Sequence, residues 1–408
     1  MKLSTKVLIG LGAGIIAGLI LNNYAGAVNT WIKPFGTLFL NLIKMIIVPL
    51  VFASLVMGAS SLGDLKKLGR IGGKTIVYYL ATTVVAVTIG LIIAHLFNPG
   101  VGLTLPVEAK YAGKEAPALS SVLLGIVPTN PFEAMVSGNM LQIIVFGLFV
   151  GIGITAIGTK GAVVKAFFDG FAELMFKITG WIMEFAPYGV FALITPVVAA
   201  NGPGVLFPLA KVILAVYIAC ILHAAIIYSA AVSAFGRKSP LAFFKGILPA
   251  QLIAFSTCSS AATLPVTMKC TEENLGVSKG VSSFVLPLGA TVNMDGTAIY
   301  QGVAAIFVAQ IYGLDLSLGQ QLIIILTATL GSIGAAGVPG AGLIMLTMVL
   351  TSVNLPLEGM AIIAGIDRIL DMARTTINVT GDACGSVVVA STEGELRSVP
   401  AGGGGLSA

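Results

Sequence analysis

The sequence is poor in charged residues. Only 10% of its 408 residues are Asp, Glu, Lys or Arg, while 57% are hydrophobic. An average soluble domain has about 25% charged residues. This composition excludes an ordinary soluble globular protein and predicts a polytopic membrane protein. The formal net charge of +5 comes from basic residues in short loops and does not indicate nucleic-acid binding.

Histidine and cysteine are also scarce. The two histidines, His95 and His223, each stand alone on an apolar stretch, so packing or lipid-edge roles are expected for them rather than ligation. The four cysteines show no spacing typical of a metal site and lie in or beside apolar segments: Cys220, Cys258, Cys270 and Cys384. They are therefore expected to be free thiols.

Long apolar stretches predict the membrane spans. Eight of them cover residues 6–22, 35–63, 75–97, 119–158, 162–197, 203–234, 276–312 and 357–390. Two more, 240–270 and 316–352, are interrupted at their centres by small residues and proline. Because irregular backbone is not tolerated in lipid, these two are interpreted as re-entrant helical hairpins that meet at mid-membrane. Two kinked full spans remain the alternative. The predicted fold is an all-α membrane protein with eight transmembrane helices and two re-entrant hairpins.

Basic residues predict the orientation of these spans. Lys2 and Lys6 precede the first span, and Lys66, Arg70 and Lys74 lie between the second and the third. Lysine and arginine concentrate in cytoplasmic loops. The N- and C-termini are therefore predicted to be cytoplasmic.

The most informative segment is a polar stripe on the last predicted span. Its members are spaced by three or four residues, within roughly 60–80° of arc on a helix: Asp367, Asp371, Arg374, Asn378 and Asp382. Charges at membrane depth usually face a protein interior or a watery pathway. Arg374 can hold a carboxylate with two parallel hydrogen bonds, and Asp371 suits an ammonium group. An Asp371–Arg374 pair that only neutralises itself is the alternative.

A second motif, Asn293-Met294-Asp295-Gly296-Thr297, indicates a cation site. Gly296 weakens the helix and can free backbone carbonyls, which together with carboxylates and amides suit sodium. An Asp295 that is protonated in a dry interior, or used for proton coupling, is the alternative. A similar run, Asn378 to Asp382, follows the second interrupted segment. Tyr79, Thr82 and Thr83 are a weaker signal, since such hydroxyls commonly bond to carbonyls of their own helix.

These motifs together resemble those of the dicarboxylate/amino acid:cation symporters, the family that includes the glutamate transporters. The resemblance covers essentially the whole chain. It implies a homotrimer with an elevator mechanism. A scaffold domain would comprise residues 1–66 and 119–197, and a transport domain would comprise 70–97 and 203–392, followed by a C-terminal tail at 393–408.

The resemblance also implies which residues bind the substrate. The α-carboxylate would be bound by the Ser260 amide, Thr375 and Asn378, with Ser259 as a further substrate-binding residue. The ammonium would be bound by Asp371 and the carbonyls of Cys258 and Val338. The side-chain carboxylate would meet Arg374, Thr297 and the backbone at Gly342.

Three sodium sites are implied in the same way. The first would use Gly289, Asn293, Asn378 and Asp382. The second would use carbonyls of Thr291, Met294, Ser332, Ile333 and Ala335. The third would use Tyr79, Thr82, Thr83, Asn293 and Asp295. The resemblance thereby makes the three hydroxyl residues of the third span candidates for binding sodium.

Within this family, three residues favour one substrate and ion. Arg374 favours an acidic side chain, Asp371 favours an amino acid over a simple dicarboxylate, and Asp382 favours sodium over protons. The sequence departs from relatives that carry a further arginine at the position of Cys258 or Met372. Arg368 is the hypothesised replacement, pairing with Asp371 or the first hairpin; an arginine that extends to the membrane interface is the alternative.

The predicted function is sodium-coupled symport of L-aspartate and/or L-glutamate across the inner (plasma) membrane. The co-transported ion would be Na⁺, and the partners would be the substrate, the bilayer and two further copies of the chain. A proton-coupled carrier of glutamate, aspartate or C4-dicarboxylates is the near alternative. An ion channel and an intramembrane aspartyl protease are disfavoured, because the polar groups cluster in one locus and Arg374 has no role in proteolysis. The chain is thus predicted not to be an enzyme.

Overall fold

The computed structural model describes residues 3–60, 69–103, 125, 127–333 and 340–397. Within these ranges the regular structure is helical, apart from an isolated antiparallel bridge between Val277 and Leu396. The helical class expected from the sequence is therefore confirmed for this part of the chain. Ala335 and Val338, which were predicted to contribute carbonyls, and residues 398–408 of the tail lie outside the described residues.

Before residue 202, the described ranges contain eight α-helices. They are α1 (Leu3–Ile20), α2 (Ala25–Trp31), α3 (Lys33–Ser60), α4 (Gly69–Phe97), α5 (Pro131–Ser137), α6 (Met140–Ala156), α7 (Ala162–Glu184) and α8 (Ala186–Asn201). The stretch predicted as one span at 162–197 is divided into α7 and α8, which are bent by 55° near Phe185, and its crossing of the membrane as one broken span stays a prediction. Pro187 lies in the first turn of α8, where its missing N–H costs nothing but where it cannot continue α7.

The second half of the chain contains shorter and more interrupted helices. They are α9 (Leu206–Leu222), a π-helix (His223–Tyr228), α10 (Ser229–Ala234), α11 (Pro240–Thr257), α12 (Ser260–Lys269), a second π-helix (Cys270–Asn274), α13 (Lys279–Val292), α14 (Asp295–Ile311), α15 (Leu318–Ser332), α16 (Ala341–Ser352) and α17 (Met360–Glu393).

Two breaks in these helices have clear local causes. Cys258 has a φ of 54°, which ends α11, and the Ser259 hydroxyl accepts from the Ala262 amide and caps α12. The stretch predicted as a span at 276–312 is interrupted, because the extended backbone of Asn293 ends α13 and α14 starts at Asp295. Gly296 was expected to weaken this helix and free nearby backbone carbonyls, and the break at Asn293 and Met294 lies just before it.

Three of the described helical segments are long and apolar enough to cross a bilayer by length and composition: Arg70–Phe97, Leu206–Ala234 and Pro240–Thr257. The bent pair α7–α8 would add a fourth. The sequence predicted eight spans, and the difference lies partly in α13 and α14, which are individually short, and in the polar stripe of α17. The eight spans and the re-entrant nature of the hairpins stay predictions.

The helices pack in two groups. In one, α1 lies along α8, and α3 packs against α6, α7 and α8. In the other, α4 packs against α14, α15 and α9, while α17 packs against α9, α11, α13 and α14. Contacts of α17 with α1 and α8 join the groups. This grouping parallels the scaffold and transport domains expected from the resemblance, whose separate motion stays a prediction.

The helix α17 is the central element of the second group. Its 34 residues extend over about 50 Å, and most of the segment from Ile362 to Ala390 is buried. The partly exposed residues of that segment, Arg368, Ile369, Met372 and Thr376, share one face. The polar stripe faces the protein interior, as its spacing predicted.

Candidate functional site

Arg374 is fully buried at the centre of α17. Its Nη1 donates to Asp367 Oδ1 at 2.8 Å, and its Nη2 lies 3.0 Å from Asp371 Oδ1. The guanidinium carbon lies 4.2 Å from the centroid of the Tyr300 ring, a cation–π distance. Among the described residues, Nε and Nη2 have no partner with hydrogen-bond geometry. One edge of the guanidinium therefore remains able to bind a carboxylate.

Asp371 joins the start of α16 to the stripe. Its Oδ2 accepts from the Gly340 amide at 3.3 Å, and its Oδ1 accepts from the Thr375 hydroxyl at 3.3 Å. Both bonds are long for hydrogen bonds to a carboxylate. Asp371 therefore keeps acceptor capacity on both oxygens.

Two glycines create the room that Arg374 occupies. A Cβ at Gly342 would lie 2.6 Å from the guanidinium carbon, and a Cβ at Gly296 would lie 2.2 Å from the Arg374 carbonyl oxygen. Any side chain at Gly296 would push against backbone, whereas one at Gly342 would push against the end of a flexible side chain. Both predicted positions are thus in direct contact with Arg374.

Asn378 stabilises the break between α13 and α14. Its Oδ1 accepts from the Gly296 amide at 2.8 Å, and its Nδ2 lies 3.3 Å from Thr297 Oγ1 and 3.2 Å from Met294 Sδ. The stripe and the Asn293–Thr297 motif, which lie about 80 residues apart in sequence, therefore form one site.

Asn293 and Asp382 extend this site beyond Asn378. Asn293 Nδ2 donates to Asp382 Oδ1 at 2.9 Å and to the Asn378 carbonyl at 3.0 Å, while Asn293 Oδ1 is buried without a partner among the described residues. A Cβ at Gly289 would lie 2.6 Å from both Asp382 Oδ1 and Tyr79 Oη. The bare glycine and the orphaned oxygen are features that suit a small cation bound by oxygen atoms.

Asp295 accepts three hydrogen bonds. Thr83 Oγ1 lies 2.7 Å from its Oδ1, and Tyr228 Oη and His223 Nε2 lie 2.8 and 3.1 Å from its Oδ2. The Thr82 and Thr83 hydroxyls also lie 3.1 and 2.8 Å from the Tyr79 carbonyl. Thr82 and Thr83 therefore bond to a carbonyl of their own helix, as hydroxyls in membrane helices commonly do, and Thr83 contacts Asp295 as well.

Two groups of polar residues follow from these contacts, and they differ in charge. The arginine cluster comprises Arg374, Asp367, Asp371 and Tyr300. The aspartate cluster comprises Asp295, Asp382, Asn293 and Thr83. Within the part of the chain that the structure describes, neither Asp295 nor Asp382 has a lysine or arginine nitrogen within 4.0 Å. The carboxylates of the aspartate cluster therefore lack a permanent cationic partner.

The tip of the first hairpin lies beside α17. Arg368 Nη2 donates to the carbonyl of Thr257, the last residue of α11, at 3.2 Å. Cys258, Ser259 and Ser260 follow at the break and are buried. The contact agrees with the hypothesis that Arg368 pairs with this hairpin.

The remaining predicted residues lie near helix ends. Thr291 is in the last turn of α13, Ser332 ends α15 and Ile333 follows it. Hydroxyl groups of Thr291 and Ser332 bond within their own helices, to the carbonyls of Leu288 and Thr329. Their backbone carbonyls are the groups that the sequence proposed for the second sodium site.

Three residues of the site escaped sequence reasoning. Tyr300 carried no signal in the sequence, and its contact with the buried Arg374 guanidinium emerges only from the structure. His223 was expected to serve in packing, and Tyr228 carried no signal. Their five-residue spacing does not put them on one face of an α-helix, so only the π-helix reveals their common target.

Comparison with known proteins identifies the family of this chain. Residues 3–392 match the family model described as the sodium:dicarboxylate symporter family. The chain belongs to this family. The family prediction made from the motifs is confirmed, and so is the prediction that the protein is a transporter and not an enzyme.

Relatives are similar to this chain over nearly their whole length. It is 42% identical to a proton/sodium-glutamate symport protein of Geobacillus stearothermophilus, covering 97% of this chain and 95% of the relative. It is 40% identical to a proton/glutamate-aspartate symporter of Escherichia coli, covering 96% and 93%. A C4-dicarboxylate transport protein of Bacillus subtilis is 36% identical, with 97% and 96% covered. This sodium:dicarboxylate symporter family member is therefore a membrane protein that carries out secondary symport of an acidic amino acid or a dicarboxylate.

Proposed function

We propose that the protein is a sodium-coupled symporter of L-aspartate and/or L-glutamate. The observation that carries this proposal is the state of Arg374. It is fully buried, yet among the described residues its Nε has no hydrogen-bond partner, and its Nη2, on the same edge of the fork, lies 3.0 Å from Asp371 Oδ1 without hydrogen-bond geometry. A buried donor without a partner costs about 1–3 kcal/mol. A substrate carboxylate would remove that cost with two parallel hydrogen bonds.

The groups around Arg374 support an amino acid as the substrate. Asp371 lies 3.0 Å from Nη2 and has only long hydrogen bonds, so it can accept from an ammonium group. The amide at the N-terminus of α12, at Ser260, and the Thr375 and Asn378 side chains would bind the α-carboxylate. Cys258 and Val338 would offer carbonyls to the ammonium. A simple C4-dicarboxylate has no cation for Asp371, which disfavours it here.

The aspartate cluster supports sodium as the coupling ion. Asp382, the orphaned Asn293 oxygen and the Gly289 carbonyl offer oxygen ligands, as do Asp295, Thr82, Thr83 and Tyr79. The carbonyls of Thr291, Met294, Ser332, Ile333 and Ala335 would bind a further ion. Hard oxygen donors and uncompensated carboxylates are what a monovalent alkali cation requires. Two negative charges in this cluster would thus be neutralised by the ions that travel with the substrate.

Proton coupling is the second candidate. Several relatives carry proton in their names, and three of these names carry both proton and sodium. The same pocket would then bind the amino acid, and the aspartate cluster would receive protons in place of sodium. Uptake without sodium distinguishes this candidate.

The proposed mechanism is an elevator in a homotrimer in the inner membrane, with both termini cytoplasmic. Residues 1–66 and 119–197 would form the fixed scaffold, and 70–97 and 203–392 would carry the substrate across. The separate packing of α1 with α8 and of α4 with α14 supports two bodies. Arg368 would link the first hairpin to α17 during this motion.

Calorimetric titration of aspartate and glutamate into the purified protein with sodium tests the role of Arg374. The wild type should bind aspartate, glutamate or both, and should do so only when sodium is present. Arg374→Ala should raise the dissociation constant at least about a hundredfold. Arg374→Lys is the matched variant, since it keeps the charge but not the fork, and it should recover only part of the affinity. Binding of an acidic amino acid by Arg374→Ala at wild-type affinity would overturn the assignment.

A further inference from the structure

His223 and Tyr228 reach the same atom because of a local change in helix type. In an α-helix, residues five apart point about 140° away from each other. The π-helix from His223 to Tyr228 has i→i+5 hydrogen bonds, which bring such residues close to one above the other. Both side chains are fully buried, and their rings meet edge to face at 4.7 Å. Both contact Asp295 Oδ2.

The hydrogen-bond roles follow from the groups present. The form of Asp295 that binds a cation is a carboxylate, which only accepts, so in that form the His223 Nε2–H donates to Oδ2, as does the Tyr228 hydroxyl, which also lies 3.2 Å from the Ile377 carbonyl. His223 Nδ1 is then the acceptor nitrogen, and it is buried without a partner in the described residues. The Thr83 hydroxyl lies on the other oxygen, Oδ1. Asp295 is thus held from two sides by different elements, the π-helix and α4.

We propose that His223 and Tyr228 are positioning residues of the third cation site, acting through Asp295. Their two donors fix Oδ2, which leaves Oδ1 as the oxygen that contacts the Thr83 hydroxyl, itself 2.8 Å from the Tyr79 carbonyl. The inference rests on the proposed function, since that function assigns sodium to these oxygens. Groups that orient a metal ligand typically alter metal affinity by about 10- to 100-fold when they are removed.

The same two donors also make the buried charge tolerable between ions. A buried carboxylate needs hydrogen bonds or a cationic partner, and no lysine or arginine nitrogen lies within 4.0 Å of Asp295 in the described chain. Donors from neutral side chains stabilise the carboxylate without neutralising it. The charge that attracts the cation is therefore retained.

The test is sodium dependence of aspartate uptake in proteoliposomes, compared with aspartate affinity at saturating sodium. Tyr228→Phe keeps the ring and removes one donor, and it should raise the half-saturating sodium concentration about tenfold. His223→Leu should raise it at least as much, and His223→Gln, whose amide can still donate, should recover part of the loss. Aspartate affinity at saturating sodium should stay within about twofold of the wild type. His95→Gln, the other histidine, should behave like the wild type.

Two results would overturn the inference. One is wild-type sodium dependence in both Tyr228→Phe and His223→Leu. The other is an equal loss of sodium and aspartate affinity, which a general packing role would produce. If His223→Leu does not fold, Tyr228→Phe decides alone. A wild-type protein that takes up aspartate without sodium contradicts the proposed function itself, and the inference then falls with it.

Discussion

The arginine cluster and the aspartate cluster are both buried beside α17, but they are completed in opposite ways. In the arginine cluster, a guanidinium whose Nε has no partner among the described residues is paired with Asp367 and Asp371. In the aspartate cluster, Asp295 and Asp382 have donors but no lysine or arginine within 4.0 Å in the described chain, and an Asn293 oxygen is orphaned. The arginine cluster therefore offers hydrogen-bond donors to an anion, and the aspartate cluster offers oxygen ligands to cations.

This difference explains how one site can couple two solutes. Asn378 lies between the clusters: its carbonyl accepts from Asn293 of the aspartate cluster, and its Oδ1 accepts from the amide of Gly296, which packs against the Arg374 backbone. An ion bound by Asp382 and Asn293 would fix Asn378, and through it the break that begins α14. Under the proposed function, binding at one cluster would therefore prepare the other, which is the coupling that symport requires.

Among the variants that distinguish the two clusters, Asp382→Asn should have the largest effect. Asp382→Asn removes one of the two carboxylates of the aspartate cluster while leaving Arg374 unchanged. The half-saturating sodium concentration for aspartate uptake should rise at least about thirtyfold. Asp169→Asn, which alters a half-exposed pair with Lys165, is the control and should have no effect. Unchanged sodium dependence in Asp382→Asn would remove the contrast between the clusters.

Gly342→Ala should act on the other cluster. Its Cβ would lie 2.6 Å from the guanidinium carbon of Arg374 and would displace that side chain. Titration should show aspartate binding weakened about tenfold, with the sodium dependence of the remaining uptake preserved. Gly73→Ala, which meets no atom within 4 Å, is the matched control in α4. An equal loss for sodium would mean that the clusters are not separable.

Arg368→Ala should have a smaller effect, because it removes one hydrogen bond at the edge of the site. The Thr257 carbonyl would lose its donor, and the first hairpin would be held less firmly. Transport rate or aspartate affinity should change about five- to tenfold. Arg368→Lys should lie between this variant and the wild type. Kinetics that do not change in Arg368→Ala would assign the arginine to the membrane interface.

The smallest effect is expected outside both clusters, at Glu393, just beyond the predicted span 357–390. Hydrogen bonds from Lys74 and Arg70 hold the pKa of Glu393 below its ordinary value. Because the folded pKa is lowered, this stabilisation is present above the ordinary pKa of the group and is lost as the pH falls through the lowered value. Glu393→Gln should lower the melting temperature by about 1–2 °C at pH 7.

Thermal unfolding of both proteins in detergent from pH 7 to pH 3 checks this. The difference between wild type and Glu393→Gln should shrink as Glu393 is protonated, and salt should reduce it at pH 7. A difference that stays constant with pH and salt would contradict an electrostatic origin.

The sequence was sufficient for features whose period is regular. The spacing from Asp367 to Asp382 predicted one buried face of α17, and the small and polar residues around Cys258 predicted the break after α11. It was insufficient where structure departs from a regular period. The pairing of His223 with Tyr228 needs a π-helix, and Arg374 hydrogen-bonds to Asp367 seven residues away, whereas the simple alternative paired it with Asp371 alone.

Uptake of aspartate into proteoliposomes under an inward sodium gradient tests the central claim most directly. With sodium outside, the protein should accumulate aspartate above the external concentration, and replacing sodium by choline should abolish that accumulation. Accumulation in choline that is driven by an inward proton gradient would contradict sodium coupling and would assign the aspartate cluster to protons.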